Sequence, residues 1–375
     1  MQRYLAPYIG TDLKKKIVVL TGPRQSGKTT LAKSLCTAYD YYNYDDPGSR
    51  LTLQDRSWDR RKELVIFDEL HKMRDWQTWI KGIFDIEGVK PGLLVTGSAR
   101  MDMLRKTGDS LAGRFFPFRL HPLDVKEAAA IFEPEEALRR ILSVGSFPEP
   151  FLEGDPVAYA RWKKSHIDVI LRYDMLDLTR MTDITAIEIL LELLRSRVGS
   201  PLSYANLAGD LQRDAKTIKA WLQILEDLYI IFPVRPWHRN IARSVLKEPK
   251  YYFYDTAQVK GDEGCRLENA VACALKKELD FLSDTRGEDC GLHYLRTRDG
   301  KELDFAVVRN GDLTHRIEVK WSDSGRAKAF DHFPGVNPET RSIQLVGQLS
   351  RDKTWPDGLL MADAARWLAA MRLDS

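Results

Sequence analysis

The first 120 residues alternate between short apolar or aromatic runs and polar stretches of helical length. The runs are residues 16–20 (KIVVL), 40–44 (DYYNY), 64–67 (LVIF), 93–96 (LLVT) and 115–120 (FFPFRL), each followed closely by turn or acidic residues. Short runs with little polar interruption suit strands covered on both faces, so the pattern predicts βα units on a buried parallel sheet. Near Leu123 the pattern lengthens, and residues 158–198 read as amphipathic helix.

Between Leu202 and Ile231, Leu207, Leu211, Ile218, Trp221, Leu222, Leu225 and Leu228 recur at helical spacing around the turn QRDA. Asp214 is placed to cap the second helix, which predicts a helix-turn-helix. The following IIFPVRPW reads as the first strand of a wing. Strands return after Lys250, interrupted by a helix near Leu267–Leu279. The expected organisation is a parallel α/β domain over 1–125, a helical region with a winged helix over 126–240, and a second α/β domain over 241–375. A length of 375 residues suits two or three cores.

Composition narrows the function classes modestly. Net charge is +3, so no global field marks a nucleic-acid binder and basic patches must be judged locally. Cys36, Cys265, Cys273 and Cys290 form no CxxC pair, which argues against zinc and a disulfide framework. No apolar run approaches the ~20 residues of a membrane helix. These features together predict a cytoplasmic chain without a membrane partner.

The chemistry concentrates first in TGPRQSGKTT, from Thr21 to Thr30. Gly22, Gly27, Lys28 and Thr29 satisfy G-x-x-x-x-G-K-[ST] between a strand and a helix. Bare backbone lets successive N–H groups approach phosphate oxygens, and the helix N-terminus adds positive potential. Gly22, Pro23, Arg24, Gln25, Ser26, Gly27, Lys28, Thr29 and Thr30 are therefore expected to bind ATP. Lys28 would reach the β- and γ-phosphates and Thr29 would ligate Mg²⁺. LVIFDE carries Asp68 to the carboxyl end of a strand, to hold the metal, with Glu69 polarising the attacking water. Ser98, in the turn after LLVT, is expected to touch that water or the γ-phosphate. Arg100 and Arg114 are expected to stabilise transition-state charge, in cis or from a neighbouring subunit of a homo-oligomer.

Taken in order, GPRQSGKTTL, LVIFDELHK, LLVTGSAR and LAGRFFPFRLHPL resemble the AAA-type ATPases of bacteria and archaea that carry an uncharacterised C-terminal domain. The likeness covers roughly residues 15–125 and resumes from about 165 to 325. It implies ATP binding.

Two further groups bear on a target. Lys216, Thr217 and Lys219 lie near the start of the second helix of the helix-turn-helix, where base edges would be read, with Arg235, His238, Arg239 and Arg243 in the wing region. In KELDFAVVRNGDLTHRIEVKW, Asp304 precedes an apolar run, and Glu318 and Lys320 share one face of the next strand. Two carboxylates and a lysine on adjacent strands could hold a divalent metal and orient a water. The arrangement is similar to the PD-(D/E)xK nuclease core, with Leu303 in place of the proline. That resemblance implies a further metal-binding acid on an upstream helix, for which Glu268 is the match. The expected function is an Mg²⁺-dependent ATPase acting on double-stranded DNA, with a nuclease-like rear domain. The alternative is a nucleotide switch that docks protein partners.

Overall fold

The computed structural model describes residues 3–97, 111, 113–174, 183–237, 248–333 and 339–374. Two compact units emerge, residues 2–122 with 227–229, and residues 123–226 with 230–375.

The front unit is built on five parallel strands: β1 (Ile17–Thr21), β2 (Tyr39–Asn43), β3 (Leu64–Asp68), β4 (Gly92–Thr96) and β5 (Phe115–Arg119). Their order is β2-β3-β4-β1-β5. Every residue of β1, β3 and β4 is buried, as the unbroken apolar runs predict. Each fully buried Val, Leu, Ile or Phe in them contributes about 1.5–3 kcal/mol. Helices α1 (Ala6–Asp12), α2 (Lys28–Ser34), α3 (Pro47–Asp55) and α4 (Trp76–Glu87) accompany the sheet. Phe67 of β3 meets Trp58 and Trp79 edge to face, each at 5.5 Å between ring centroids. Because β4 lies between β1 and β3, the carboxyl ends of all three strands meet at one edge.

The second unit carries the helix-turn-helix and an eight-stranded sheet. Helices Tyr204–Leu211 and Ala215–Asp227 bury Leu207, Ile218, Trp221, Leu222 and Leu225 against their surroundings. Asp214 caps the second helix through Thr217 N at 2.8 Å. The sheet comprises β6 (Ile231–Pro236), β7 (Lys250–Phe253), β8 (Cys290–Arg296), β9 (Glu302–Arg309), β10 (Asp312–Ser322), β11 (Arg341–Gln348), β12 (Lys353–Thr354) and β13 (Leu360–Asp363). Its order is β12-β13-β11-β10-β9-β8-β6-β7.

The sequence pattern places a wing strand over IIFPVRPW and a boundary near residue 240, but the rear sheet runs through that point. Strand β6 pairs antiparallel with β7 and, at Arg235 and Pro236, parallel with β8. The hairpin is thereby the edge of the rear sheet. A local pattern shows that a strand exists but not which strand it pairs with, because pairing is a non-local contact.

The long helix Glu263–Arg286 precedes an antiparallel meander, β8-β9-β10, and β11 then returns parallel to β10. Lys277 on this helix pairs with Glu127 at 2.6 Å and Asp124 at 3.3 Å, all three buried. Among the described residues no helix is long and apolar enough to cross a membrane.

Candidate functional site

The phosphate loop spans the turn from β1 into α2. Gly22 sits at φ +145°, and a Cβ there would lie 2.3 Å from the Leu120 carbonyl oxygen, so only glycine fits. Gly27 caps α2 in the left-handed region at φ +95°. Buried Lys28 turns its ammonium back over the loop, donating to Pro23 O at 2.6 Å and Gly22 O at 3.0 Å. The Ser26 hydroxyl is buried and finds no partner among the described residues, an orphan that a phosphate oxygen would satisfy. Arg24, Gln25 and Thr30 face solvent.

Asp68 closes the site from β3. Its Oδ2 accepts from Thr29 Oγ1 at 2.8 Å and from Tyr41 Oη at 2.7 Å, and its Oδ1 accepts from Thr96 Oγ1. Thr96 faces Asp68 in register across β3 and β4. A hydroxyl and a carboxylate oxygen in contact are the hard-oxygen donors Mg²⁺ prefers, so the residues present fit that ion. Glu69 follows with left-handed backbone, φ 55°, unusual for a non-glycine residue. Burial pushes its carboxyl above the usual range, while Lys72, Lys28 and Arg24 oppose the shift. A carboxylate tuned upward is better matched to accepting a proton near neutral pH.

Three contributors escape sequence reasoning. Tyr41 was hidden in an aromatic strand, and burial with the Asp68 carboxylate beside it raises its phenol pKa. Thr96 adjoins the predicted turn, but only strand register singles it out. Arg3 braces the loop, donating to Ser26 O at 3.0 Å and to the His121 carbonyl. Nothing near Met1 in the sequence signals that reach.

The structure does not bring Arg114 to the loop in cis. It immediately precedes β5, whose first residue pairs with Ile17, whereas the loop follows Thr21 at the other end of the sheet. Five residues of strand separate those ends by about 17 Å. Arg114 instead pairs with Asp85 at 2.7 Å. Ser98 and Arg100 lie outside the described residues, as do His238, Arg239 and Arg243. Lys216 and Lys219 are exposed, and Thr217 donates its hydroxyl proton to the cap, to Asp214 Oδ2 at 2.6 Å.

Asp304, Glu318 and Lys320 do gather on the rear sheet. Asp304 Oδ2 accepts from Val319 N at 2.9 Å, and Glu318 Oε2 accepts from Asp304 N at 3.3 Å, just beyond the Phe305–Ile317 pair of the β9–β10 ladder. Lys320 Nζ donates to Glu318 Oε1 at 2.6 Å. Glu268 projects from the long helix and accepts from Tyr252 Oη at 2.7 Å. Burial and the Asp304 charge push the Glu268 carboxyl up to about 8 and that of Glu318 to about 7.

Lys250, absent from the predicted set, joins this group with a buried side chain and its Nζ 3.0 Å from Glu302 Oε2. Burial alone would lower its pKa, but Glu268, Asp304 and Glu302 outweigh it and hold the ammonium above its ordinary value. Among the described residues no three carboxylate, histidine or cysteine side chains are arranged to hold a metal ion. The expected metal set Glu268, Asp304 and Glu318 shares one neighbourhood, in which Asp304 Oδ2, Glu268 Oε1 and both Glu318 oxygens face protein donors.

Residues 14–129 match the AAA domain. The match covers most of the front unit. Behind it, residues 135–259 match one domain of unknown function (DUF8612) and residues 263–354 another (DUF4143). The chain is similar to uncharacterized proteins of Mycobacterium bovis and Mycobacterium tuberculosis, each 27% identical over 348 residues, 89% of this chain and 75% of theirs. Among solved structures it matches a Signal Transduction ATPase with Numerous Domains (STAND) protein with a tetratricopeptide repeat sensor from Pyrococcus horikoshii. That match has 15% identity and a TM-score of 0.25, covers 75% of this chain, and spans about half (46%) of the other protein's length. The AAA-type domain thus rests on the family match and on the loop geometry.

Proposed function

We propose that the chain is an Mg²⁺-dependent ATPase that acts on double-stranded DNA. The observation that carries the hydrolytic reading is the union of the Lys28 ammonium over a bare loop with the Thr29–Asp68 contact beside it. The loop N–H groups and Lys28 would hold the triphosphate, while Thr29 and Asp68 would hold the ion, which supplies charge neutralisation at the phosphates. Glu69 would orient the attacking water and take its proton. Ser98 is assigned to the same end of β4 on sequence grounds. Arg114, remote from its own loop, is assigned to a neighbouring copy in a homo-oligomer. Phosphate release measured with Mg²⁺ and with EDTA tests this reading. Equal release in both conditions would sink it.

The DNA reading draws on the exposed Lys216 and Lys219, and on the nuclease-like order of helix, three-stranded meander and returning parallel strand. Retention on immobilised double-stranded DNA should weaken as salt rises and change with ATP. One observation favours the second reading, a nucleotide switch that docks a protein. Arg213 pairs with Asp183 at 2.6 Å and Arg197 with Asp210 at 2.8 Å, leaving the helix-turn-helix surface partly neutralised. Absence of any salt-sensitive retention on DNA would select it.

A further inference from the structure

The acidic cluster of the rear sheet raises a question of charge. Glu268, Glu302, Asp304 and Glu318 bring four carboxylates into one neighbourhood. Buried like charges are tolerated only when protons or cations neutralise them. In a metal-dependent nuclease that role falls to divalent ions. Here the chain supplies its own cations. Lys320 Nζ lies 2.6 Å from Glu318 Oε1, Lys250 Nζ lies 3.0 Å from Glu302 Oε2, and Arg296 Nη1 lies 3.0 Å from Glu302 Oε1.

Further protein donors hold three of these acids in place. Glu268 accepts from Tyr252 Oη and lies so close to Gly199 that a Cβ there would be 2.7 Å from Oε1. Asp304 and Glu318 accept backbone N–H groups of β10 and β9 respectively. The Lys250 side chain is only 3% exposed, and its ammonium stands 5.0 Å from the centre of the Tyr294 ring, a second favourable partner for a cation. A lysine so enclosed does not swing aside at small cost, because leaving would bare the neighbouring acids and leave Glu302 with Arg296 alone.

We infer that Lys250, with Lys320, is the built-in counter-ion of this cluster, so that the rear unit keeps a nuclease-like fold while its own ammonium groups occupy the electrostatic place of a divalent metal. The inference rests on the nuclease-like reading of the rear sheet. It predicts that the unit engages its target without metal chemistry at Asp304.

The test is Mn²⁺ titration of the full chain without nucleotide, reading free Mn²⁺ by its paramagnetic resonance signal. Sites elsewhere in the chain are common to all variants and cancel. Wild type and Asp304→Asn should bind the same number of ions. An additional site in wild type that Asp304→Asn removes would overturn the inference, whatever Lys250 variants do. Lys250→Gln should gain one site, lost again in Lys250→Gln/Asp304→Asn. If Lys250→Gln does not fold by circular dichroism, Lys250→Gln/Glu302→Gln also removes the carboxylate that Lys250 paired with and should show the same gain. No gain in a folded variant overturns the inference. Loss of salt-sensitive DNA retention would instead count against the DNA reading, and would leave the titration unchanged.

Discussion

The Thr29 hydroxyl donates to Asp68 Oδ2 at 2.8 Å, across 39 residues of sequence. Two motifs that are separate in the chain are thereby one site in the fold. The strand that intervenes between them, β4, contributes Thr96 to the same carboxylate. Asp68 is consequently held on both oxygens, and its orientation is fixed before any ligand arrives.

Lys28→Ala should lower ATP affinity by a hundredfold or more. Charge-assisted hydrogen bonds contribute about 1.5–3 kcal/mol each, and Lys28 is expected to make at least one to each of two phosphates. Equilibrium binding of labelled ATP checks this. Wild-type affinity in the variant would remove the basis for the phosphate-loop reading.

Glu69→Gln should keep ATP binding and reduce turnover by about 10²–10⁴-fold, the usual worth of a positioned general base. The amide is nearly isosteric but cannot accept the proton, and Asp68 is untouched. Phosphate release measured beside binding separates the two effects. Unchanged turnover would move the water-positioning role to another residue.

Thr96→Val should raise the Mg²⁺ concentration needed for half-maximal turnover by about tenfold or more, since a lost hydrogen bond to a charged group costs about 1.5–3 kcal/mol. Thr96 is fully buried, so valine preserves the packing while leaving Asp68 Oδ1 without this donor. Thr96→Ser should restore the wild-type dependence. If valine and serine behave alike, the hydroxyl does not position Asp68.

Asp255 gives a pH prediction independent of the nucleotide site. It is buried, accepts from Tyr159 Oη at 2.9 Å, and burial pushes its carboxyl up to about 6. An acid whose pKa rises on folding favours the native state while protonated, so its contribution is full below about pH 4 and is lost as pH rises through 6. The shift corresponds to about 3 kcal/mol. Denaturant unfolding of wild type and Asp255→Asn should therefore diverge between pH 4 and 7, the variant losing less stability as pH rises. Parallel profiles would mean that Asp255 titrates normally.

Much of the front unit was legible because its determinants are local. The runs over 16–20, 64–67 and 93–96 announce buried strands, and the loop glycines are required where φ is positive or a Cβ would collide. Lys28, Thr29, Asp68 and Glu69 were identifiable from motif and strand context alone. Thr96, two residues before Ser98, was not singled out because a turn motif does not reveal strand register. Arg114 was expected to act in cis or from a neighbouring subunit, and the motif alone left both open because sequence proximity does not say which end of a sheet a residue occupies.

The sequence by itself determined the periodicities, the caps and the phosphate loop, all set by contacts within a few residues. Tertiary structure alone decided that β6 and β7 form the edge of the rear sheet, since strand pairing joins segments about 60 residues apart. It alone recruited Tyr41 and Arg3 to the phosphate site. It also decided the character of the rear cluster. Glu318 and Lys320 share a strand face by simple alternation, but whether acids so placed await a metal depends on which cations the fold brings to them. Lys250 comes from a strand more than 50 residues away from Glu302, and no local pattern encodes that meeting.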